Sequence, residues 1–410
     1  MKLSGAQLKI ILDSRGKETL EAELKSGEFF ASASVPSGKS TGSHEAFVLE
    51  PKLAVEKFNE IKPQILSREF ESQQEFDNFL IQLDNTPNKK NLGANLILAL
   101  SLAFARLKAK DEKKELFEYI KSISQLPNYP ITQLPRPIFN VINGGAHENI
   151  RINQQNPHKS AFLNFQEFQI IPEVKDFGMA LGLGQEFYEK LKNFLEKKFG
   201  KENVLLGDEA GFSCPFENNE EAIEVVADLI AKNNYPLRIG LDAAASQFYQ
   251  KDGYYLVNCK KLSATELKGL YLKLIEAYNI LSIEDPFNEE SFDDFAELTR
   301  NNSETLIIAD DLTTTNPQRL QTAIDKKAGN AILVKLNQIG TLTETLEVIN
   351  LAYQNNWQAI VSHRSGETMD NFIADLAVGV NAWGLKAGAP AAPERLIKYE
   401  RVLEIRNHQS

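Results

Sequence analysis

Six acidic, basic or imidazole side chains each end a short apolar run in the second half of this chain. The runs are Ile239-Gly-Leu-Asp242, Leu281-Ser-Ile-Glu284, Leu306-Ile-Ile-Ala-Asp310, Ile332-Leu-Val-Lys335, Ala359-Ile-Val-Ser-His363 and Trp383-Gly-Leu-Lys386. Three carboxylates, Asp242, Glu284 and Asp310, offer the oxygen ligands that hard divalent cations take. Acidic residues at strand ends also cap helices, but three in succession after apolar runs favour a metal. Lys335 and Lys386 suit a general base, since a poorly solvated lysine near cations loses its proton readily. They equally suit salt bridges to the carboxylates until metal binds. His363-Arg364-Ser365-Gly366 combines guanidinium, hydroxyl and backbone N–H, a reasonable phosphate cradle. Glu209, in Leu206-Gly-Asp-Glu-Ala-Gly-Phe212, and Glu167, in Phe165-Gln-Glu-Phe-Gln-Ile-Ile171, follow or lie on apolar segments. If adjacent, one of the pair has a raised pKa and becomes a proton donor; if apart, they are ordinary surface acids. The set describes a metal-assisted site for an anionic substrate.

The runs have the length and branched content of buried parallel strands. Helical stretches separate most of them, at roughly one βα unit per 25–30 residues, as in an eight-fold βα barrel. Such barrels carry their active sites at the C-terminal ends of the strands. Upstream, Gln7 to Asp13 is apolar, and Leu20 to Leu24 alternates, as strands do. From Leu53 to Lys113 the pattern is helical, with Ala94, Leu98, Ser101, Leu102 and Ala105 on one face. The proline-rich stretch 121–137 breaks periodicity and marks a domain boundary. The expected division is 1–130 and 131–410.

The 410 residues suffice for a barrel and a second domain, and 42% hydrophobic content allows a large core. No apolar run approaches transmembrane length, and the first residues lack a signal-peptide core. A net charge of −11 argues against nucleic-acid partners. Cys214 and Cys259 form no CxxC pair, so the expected compartment is the cytoplasm. Gly38-Lys39-Ser40-Thr41 looks like the end of a P-loop, but that motif needs a glycine where Ala33 stands. A small-residue loop that folds over a site from another domain fits better. The polar stretch His147 to Asn164 reads as a long mobile loop.

The ordered blocks resemble enolases, the 2-phosphoglycerate dehydratases. They run from Ile11-Leu-Asp-Ser-Arg-Gly16 through Val35-Pro-Ser-Gly-Lys-Ser-Thr-Gly42, Asn140-Val-Ile-Asn-Gly-Gly-Ala-His147 and Phe165-Gln-Glu-Phe168 to Gly207-Asp-Glu-Ala-Gly-Phe212. They continue with Ser282-Ile-Glu-Asp-Pro-Phe287, Ala309-Asp-Asp-Leu312, Lys335-Leu-Asn-Gln-Ile-Gly-Thr341, Ser362-His-Arg-Ser-Gly-Glu-Thr368 and Lys386-Ala-Gly-Ala-Pro390. The resemblance implies an α/β fold: a (β/α)8-type barrel with irregular first units, behind an N-terminal α+β domain. It implies reversible, magnesium-dependent conversion of 2-phosphoglycerate to phosphoenolpyruvate in glycolysis. Asp242, Glu284 and Asp310 would hold the first of two Mg2+ ions, and Ser40 the second. Lys335 would take the C2 proton and be largely neutral with both metals bound. Glu209 would protonate the departing hydroxyl, supported by Glu167 and His147. Arg364 and Ser365 would bind phosphate, Lys386 the substrate carboxylate, and Gln166 and His363 would line the site. A lysine or histidine base with one or two magnesium ions is a general feature of the wider superfamily.

The chain also departs from that pattern. A basic, Gly-rich segment is missing between Glu50 and Lys52, and the loop after His147 is roughly ten residues longer than usual. Lys39 replaces a small residue; Ala210 and Ala387 replace Gly and Thr. Ala210 is expected at negative φ, since positive φ would strain it. The resemblance implies a homodimer, but its polar pairs are altered: Glu21 would face Glu404, and Lys9 would face Asn407. The alternative functions are catalysis on another phosphorylated hydroxy acid, or service as a binding protein.

Overall fold

The computed structural model describes residues 1–39, 42–126, 133–147, 163–300, 302 and 304–409. The N-terminal part begins with an antiparallel sheet, β1 (Gly5–Leu12), β2 (Glu18–Ser26) and β3 (Phe29–Ser34), in that order. The alternation in β2 works as expected: Leu20, Ala22 and Leu24 are buried. The apolar β1 buries Ala6 and Leu8 but leaves Ile10 and Leu12 exposed, Leu12 at 64%. Helices α1 (Pro51–Ser67), α2 (Gln73–Asp84), α3 (Ala94–Asp111) and α4 (Leu116–Ile123) follow. The one-faced reading of α3 was too narrow, because every residue from Ala94 to Ala105 is buried. α3 packs on β2 and β3 and also touches barrel helices, and a helix apolar all round belongs in such a position.

The second part holds β4 (Arg136–Asn143), β5 (Glu167–Pro172), α5 (Phe177–Phe199), the two-residue strands β6 (Leu205–Leu206) and β7 (Phe212–Ser213), and α6 (Asn219–Asn233). Then come β8 (Leu237–Asp242), the hairpin β9 (Tyr255–Val257) and β10 (Lys260–Leu262), α7 (Ala264–Tyr278), β11 (Ser282–Glu284) and α8 (Phe292–Arg300). The chain continues with β12 (Leu306–Ala309), α9 (Pro317–Lys326), β13 (Ala331–Val334), α10 (Leu336–Ile339) and α11 (Leu342–Gln354). It ends with β14 (Gln358–Ser362), α12 (Phe372–Gly379), β15 (Gly384–Lys386) and α13 (Pro393–Gln409).

Eight strands close a barrel in the order β4-β5-β8-β11-β12-β13-β14-β15, with β15 pairing back to β4. The first unit is irregular: β5 runs antiparallel to both β4 and β8. The other barrel pairs are parallel. Ile138, Ile171, Ile308, Ala331, Leu333 and Ile360 form a separate apolar cluster that fills the barrel. Side chains repeat with period two along a strand. The residues in phase with that cluster at the other end are Asn140, Glu167, Asp310, Lys335 and Ser362, and Asp242, Glu284 and Lys386 end the remaining strands alike. The pleat thus turns an apolar plug into a polar mouth within a few residues. Among the described residues no helix is long and apolar enough to cross a membrane.

Asp77 of α2 joins the two parts. It is fully buried and accepts hydrogen bonds from the Thr343 N–H at 3.0 Å, the Thr343 hydroxyl at 2.6 Å and Gln73 Nε2 at 3.0 Å. Burial outweighs these bonds and pushes its carboxyl up to about 6 from 3.8. The folded chain then holds this proton more tightly than the unfolded chain, so the group's contribution is largest at low pH and is lost as pH rises through about 6. Relative to Asp77→Asn, the wild-type protein should lose about 3 kcal/mol of stability between roughly pH 4 and pH 7. Urea unfolding of both proteins across that range checks this. Parallel stability curves would mean that Asp77 titrates normally in the folded chain.

Candidate active site

The C-terminal mouth of the barrel encloses a small cavity of about 20 Å³. Its lining brings together His147, Gln166, Glu167, Glu209, Asp242, Lys335, His363, Arg364, Ser365 and Lys386, ten of the residues expected from sequence, with Ser362 added. Glu284 and Asp310 join them through the lysines. Ser40 and residues 148–162 of the expected mobile loop lie outside the described residues.

Lys386, at the end of β15, is buried among acids. Its Nζ lies 2.8 Å from Glu284 Oε2, 3.2 Å from Asp242 Oδ2 and 3.2 Å from Glu167 Oε2. Burial opposes its charge, but Glu167, Glu284 and Asp242 hold its pKa well above the usual lysine value. Glu284 is pushed well up by burial and by Asp242. Lys335 Nζ hydrogen-bonds Asp310 Oδ2, and Gln338 Nε2 donates to Asp310 Oδ1 at 3.1 Å. Burial works against the Lys335 ammonium, yet Asp310 holds its pKa above the ordinary value. Both lysines therefore make the salt bridges that sequence left open as one of their roles. The donor atoms of Asp285, Asp310 and Asp311 also lie within 4.8 Å of one another. Asp242, Glu284 and Asp310 are themselves buried and oxygen-only, and the first and last both push the Glu284 carboxyl up, as expected of groups that fit a hard divalent cation.

Across the mouth stands a second cluster. Glu209 sits on the tight turn between β6 and β7, which docks on β4 through Ile142 and Phe212. Ala210 follows at φ 62, not the negative φ expected, so this turn carries local strain. Its carbonyl is held by the Tyr188 hydroxyl at 2.6 Å. Gly211 admits no side chain, since a Cβ there would stand 1.9 Å from Asn143 Oδ1. Glu209 receives Asn140 Nδ2 at 3.1 Å and lies 3.2 Å from His363 Nε2. His147 Nδ1 lies 3.5 Å from Glu209 and 3.4 Å from Glu167, so the two acids are neighbours. Burial disfavours both charges, but His363, through the ring N–H it turns to the carboxylate, and His147 hold the Glu209 carboxyl well below its usual range. Burial and Glu209 together push Glu167 up, as expected for one of two adjacent acids.

The Arg364 guanidinium is fully buried and engaged. Nη1 and Nη2 bind the two oxygens of Glu45 at 3.0 and 3.1 Å, and Nη1 also reaches Asn337 Oδ1 at 3.0 Å. Ser365 Oγ accepts the Lys39 N–H at 3.2 Å. The Lys39 ammonium does not lie free beside Arg364 and Ser365: its Nζ pairs with Asp208 Oδ2 at 2.8 Å. The loop after β3 thus reaches over the mouth from the N-terminal part. Gln166 Nε2 donates to Asp242 Oδ2 at 3.1 Å.

Sequence reasoning singled out neither Asn140, Asn143, Glu45 nor Arg395. Asn140 shares the inward phase of β4, a usable signal; the other three meet the site only through tertiary packing.

An acid-lined barrel mouth with two lysines paired to its carboxylates defines a metal-assisted enzyme of the (β/α)8 class. A family model described as "Enolase, N-terminal domain" matches residues 4–120, and one described as "Enolase, C-terminal TIM barrel domain" matches 131–410. The chain is 43% identical over 410 residues to "Enolase" of Methanocaldococcus jannaschii, covering 96% of this chain and 92% of that protein. It is 41% identical over 420 residues to "Enolase" of Methanosarcina barkeri, covering 98% and 94%. It is 39% identical over 432 residues to "Enolase B" of Dictyostelium discoideum, covering 99% and 94%. The chain belongs to the enolase family.

Proposed function

We propose that this protein is a hydro-lyase that interconverts 2-phosphoglycerate and phosphoenolpyruvate in glycolysis and its reversal. The observation that carries the reading is the placement of two lysines, Lys386 buried and Lys335 nearly so, and a buried Glu209-His147-Glu167 cluster around one small cavity. Lys335 stands on β13, three strands round the barrel from β4, on which the Glu209 turn docks. A base and an acid so separated can act on opposite faces of one substrate.

In this reading Lys335, which would lose its proton once cations neutralise Asp310, removes the C2 proton. Glu209, held ionised by its histidines, takes a proton from the raised Glu167 through His147 between them and gives it to the leaving 3-hydroxyl. Lys386 binds the substrate carboxylate. Arg364 and Ser365 bind the phosphate, which must displace Glu45 from the guanidinium. Gln166 and His363 complete the walls. Asp242, Glu284 and Asp310 would hold one Mg2+, and Ser40 with phosphate a second. Bound there, the ions would supply positive charge against the carboxylate as its negative charge grows. The cavity has room for about one water, so Lys39 and Glu45 withdraw from Ser365 and Arg364 to admit substrate.

The test is ultraviolet absorbance of the enol product from 2-phosphoglycerate, with magnesium and with a chelator. A magnesium-dependent rise supports the reading. No rise, with substrate and magnesium both bound by calorimetry, would overturn it.

We also infer a cytoplasmic homodimer. Leu12, Phe30 and Met369 are exposed together along one cleft, which favours a second copy over solvent. Lys9 pairs within its own chain with Glu23 at 3.7 Å, and Glu404 with Arg401 at 3.2 Å, consistent with altered polar contacts. Sedimentation that finds only monomer at micromolar concentration would sink the dimer, and fractionation with a membrane the compartment. We place the domain division at 1–130 and 131–410, testable by limited proteolysis within 121–137.

A further inference from the structure

Arg395 lies in the first turn of α13, and its side chain is fully buried. The carboxylate nearest in sequence, Glu394, lies 3.7 Å from Nε. The other guanidinium nitrogens are spent mainly on two separate segments. Nη1 meets His363 Nδ1 at 2.6 Å and donates to the Arg364 carbonyl at 2.7 Å. Nη2 donates to the Asp208 carbonyl at 2.8 Å and the Ser365 carbonyl at 2.6 Å. Each contact falls on, or one residue before, a side chain placed in the site above. Gly388, at φ +85, closes on the same group: a Cβ there would stand 2.9 Å from Arg395 Cδ, 3.0 Å from the Glu209 carbonyl and 3.1 Å from His363 Cε1.

A guanidinium has only N–H donors. A 2.6 Å contact therefore requires a lone pair on His363 Nδ1, and an imidazolium would set donor against donor. The ring proton sits on Nε2, which lies 3.2 Å from Glu209 Oε2 in an electrostatic contact short of good hydrogen-bond alignment. We propose that Arg395 is a positioning residue of this site: it locks His363 as the neutral Nε2–H tautomer facing Glu209 and pins the backbone that aims Glu209, Arg364 and Ser365. The groups that face the ring agree. Burial holds His363 down to about 4, Arg395 adds to that effect, and Glu209 and Glu367 oppose it. The role in turnover rests on the proposed dehydratase activity; the tautomer does not.

The experiment is nitrogen-15 NMR of ring-labelled histidine in the full-length protein, whose five histidines allow assignment through a His363→Gln variant. In the wild-type protein near neutral pH, His363 should show an unprotonated Nδ1 and a protonated Nε2. Arg395→Met should shift His363 toward the other tautomer or the imidazolium and lower kcat about ten- to a hundred-fold, the scale of a small misplacement of reacting groups. Arg395→Lys keeps the charge but cannot span His363 and Asp208 together, so it should restore only part of the rate. A protonated Nδ1 in the wild-type protein overturns the proposal whether or not the Met variant folds. So does a folded Met variant with unchanged tautomer or unchanged kcat or, failing a folded Met variant, a Lys variant with unchanged kcat. A wild-type protein with the stated tautomer but no dehydratase activity would overturn the proposed function and leave the His363 assignment standing.

Discussion

Lys335→Ala should lose both product formation and hydrogen–deuterium exchange at C2 of 2-phosphoglycerate, each by about 10³- to 10⁴-fold, near the upper range for a positioned base. Two lysines line the cavity, and Lys386 is committed to Asp242, Glu284 and Glu167. Lys335 touches Asp310 among the acids and has freedom to exchange that partner for substrate. Exchange at carbon reports the first proton transfer alone, so it isolates the base from every later step. Truncation leaves Asp310 buried without its ammonium, which costs folding stability unless a cation replaces it. The comparison is therefore made in excess magnesium, with thermal unfolding as a control. Exchange at the wild-type rate in a folded variant would remove Lys335 as the base.

Glu209→Gln should separate the two halves of the reaction. Product formation should fall about 10²- to 10⁴-fold, while C2 exchange persists within a few-fold of wild type. The amide keeps the shape of the carboxylate and can still accept from Asn140 Nδ2, so the Ala210 turn should hold its place. What it loses is the ability to give a proton to the departing hydroxyl. His363 and His147 also lose the charge that faces them at 3.2 and 3.5 Å. The assay measures deuterium loss at C2 and enol absorbance in the same reaction. Parallel loss of both would assign Glu209 to binding or to the first step, and retained product formation would exclude it as the acid. Together the two variants distinguish base from acid by which isotope signal survives.

Much of this was readable before any fold was known. The barrel strands are short runs with two apolar faces, and each ends in a residue that water alone would not explain. Asp310, Lys335 and Lys386 stood out for that reason, and the structure puts them in one mouth because the pleat repeats every two residues. The Glu209 turn was legible only as a motif, since β6 and β7 are two residues each and carry no period. The φ of Ala210 went against expectation because the strain is imposed by the docking of the turn on β4, not by its own sequence. α3 read as one-sided because helical spacing reveals one face at a time, whereas two layers pack against it.

The sequence by itself determined the chemistry of the set: oxygen donors, two amines, a guanidinium with a hydroxyl, and the strand phase that aims most of them inward. Those properties are local, carried by residue type and by the two-residue repeat. Only the tertiary structure decided which of these groups meet. Lys386 lies among the acids of β5, β8 and β11, Glu45 lies on Arg364 from another part of the chain, and Arg395 reaches back from the last helix to His363 and Asp208. Such contacts join residues up to 319 positions apart, and no local pattern encodes them. They follow from barrel closure and from the need to satisfy buried charge, which are properties of the whole packed chain.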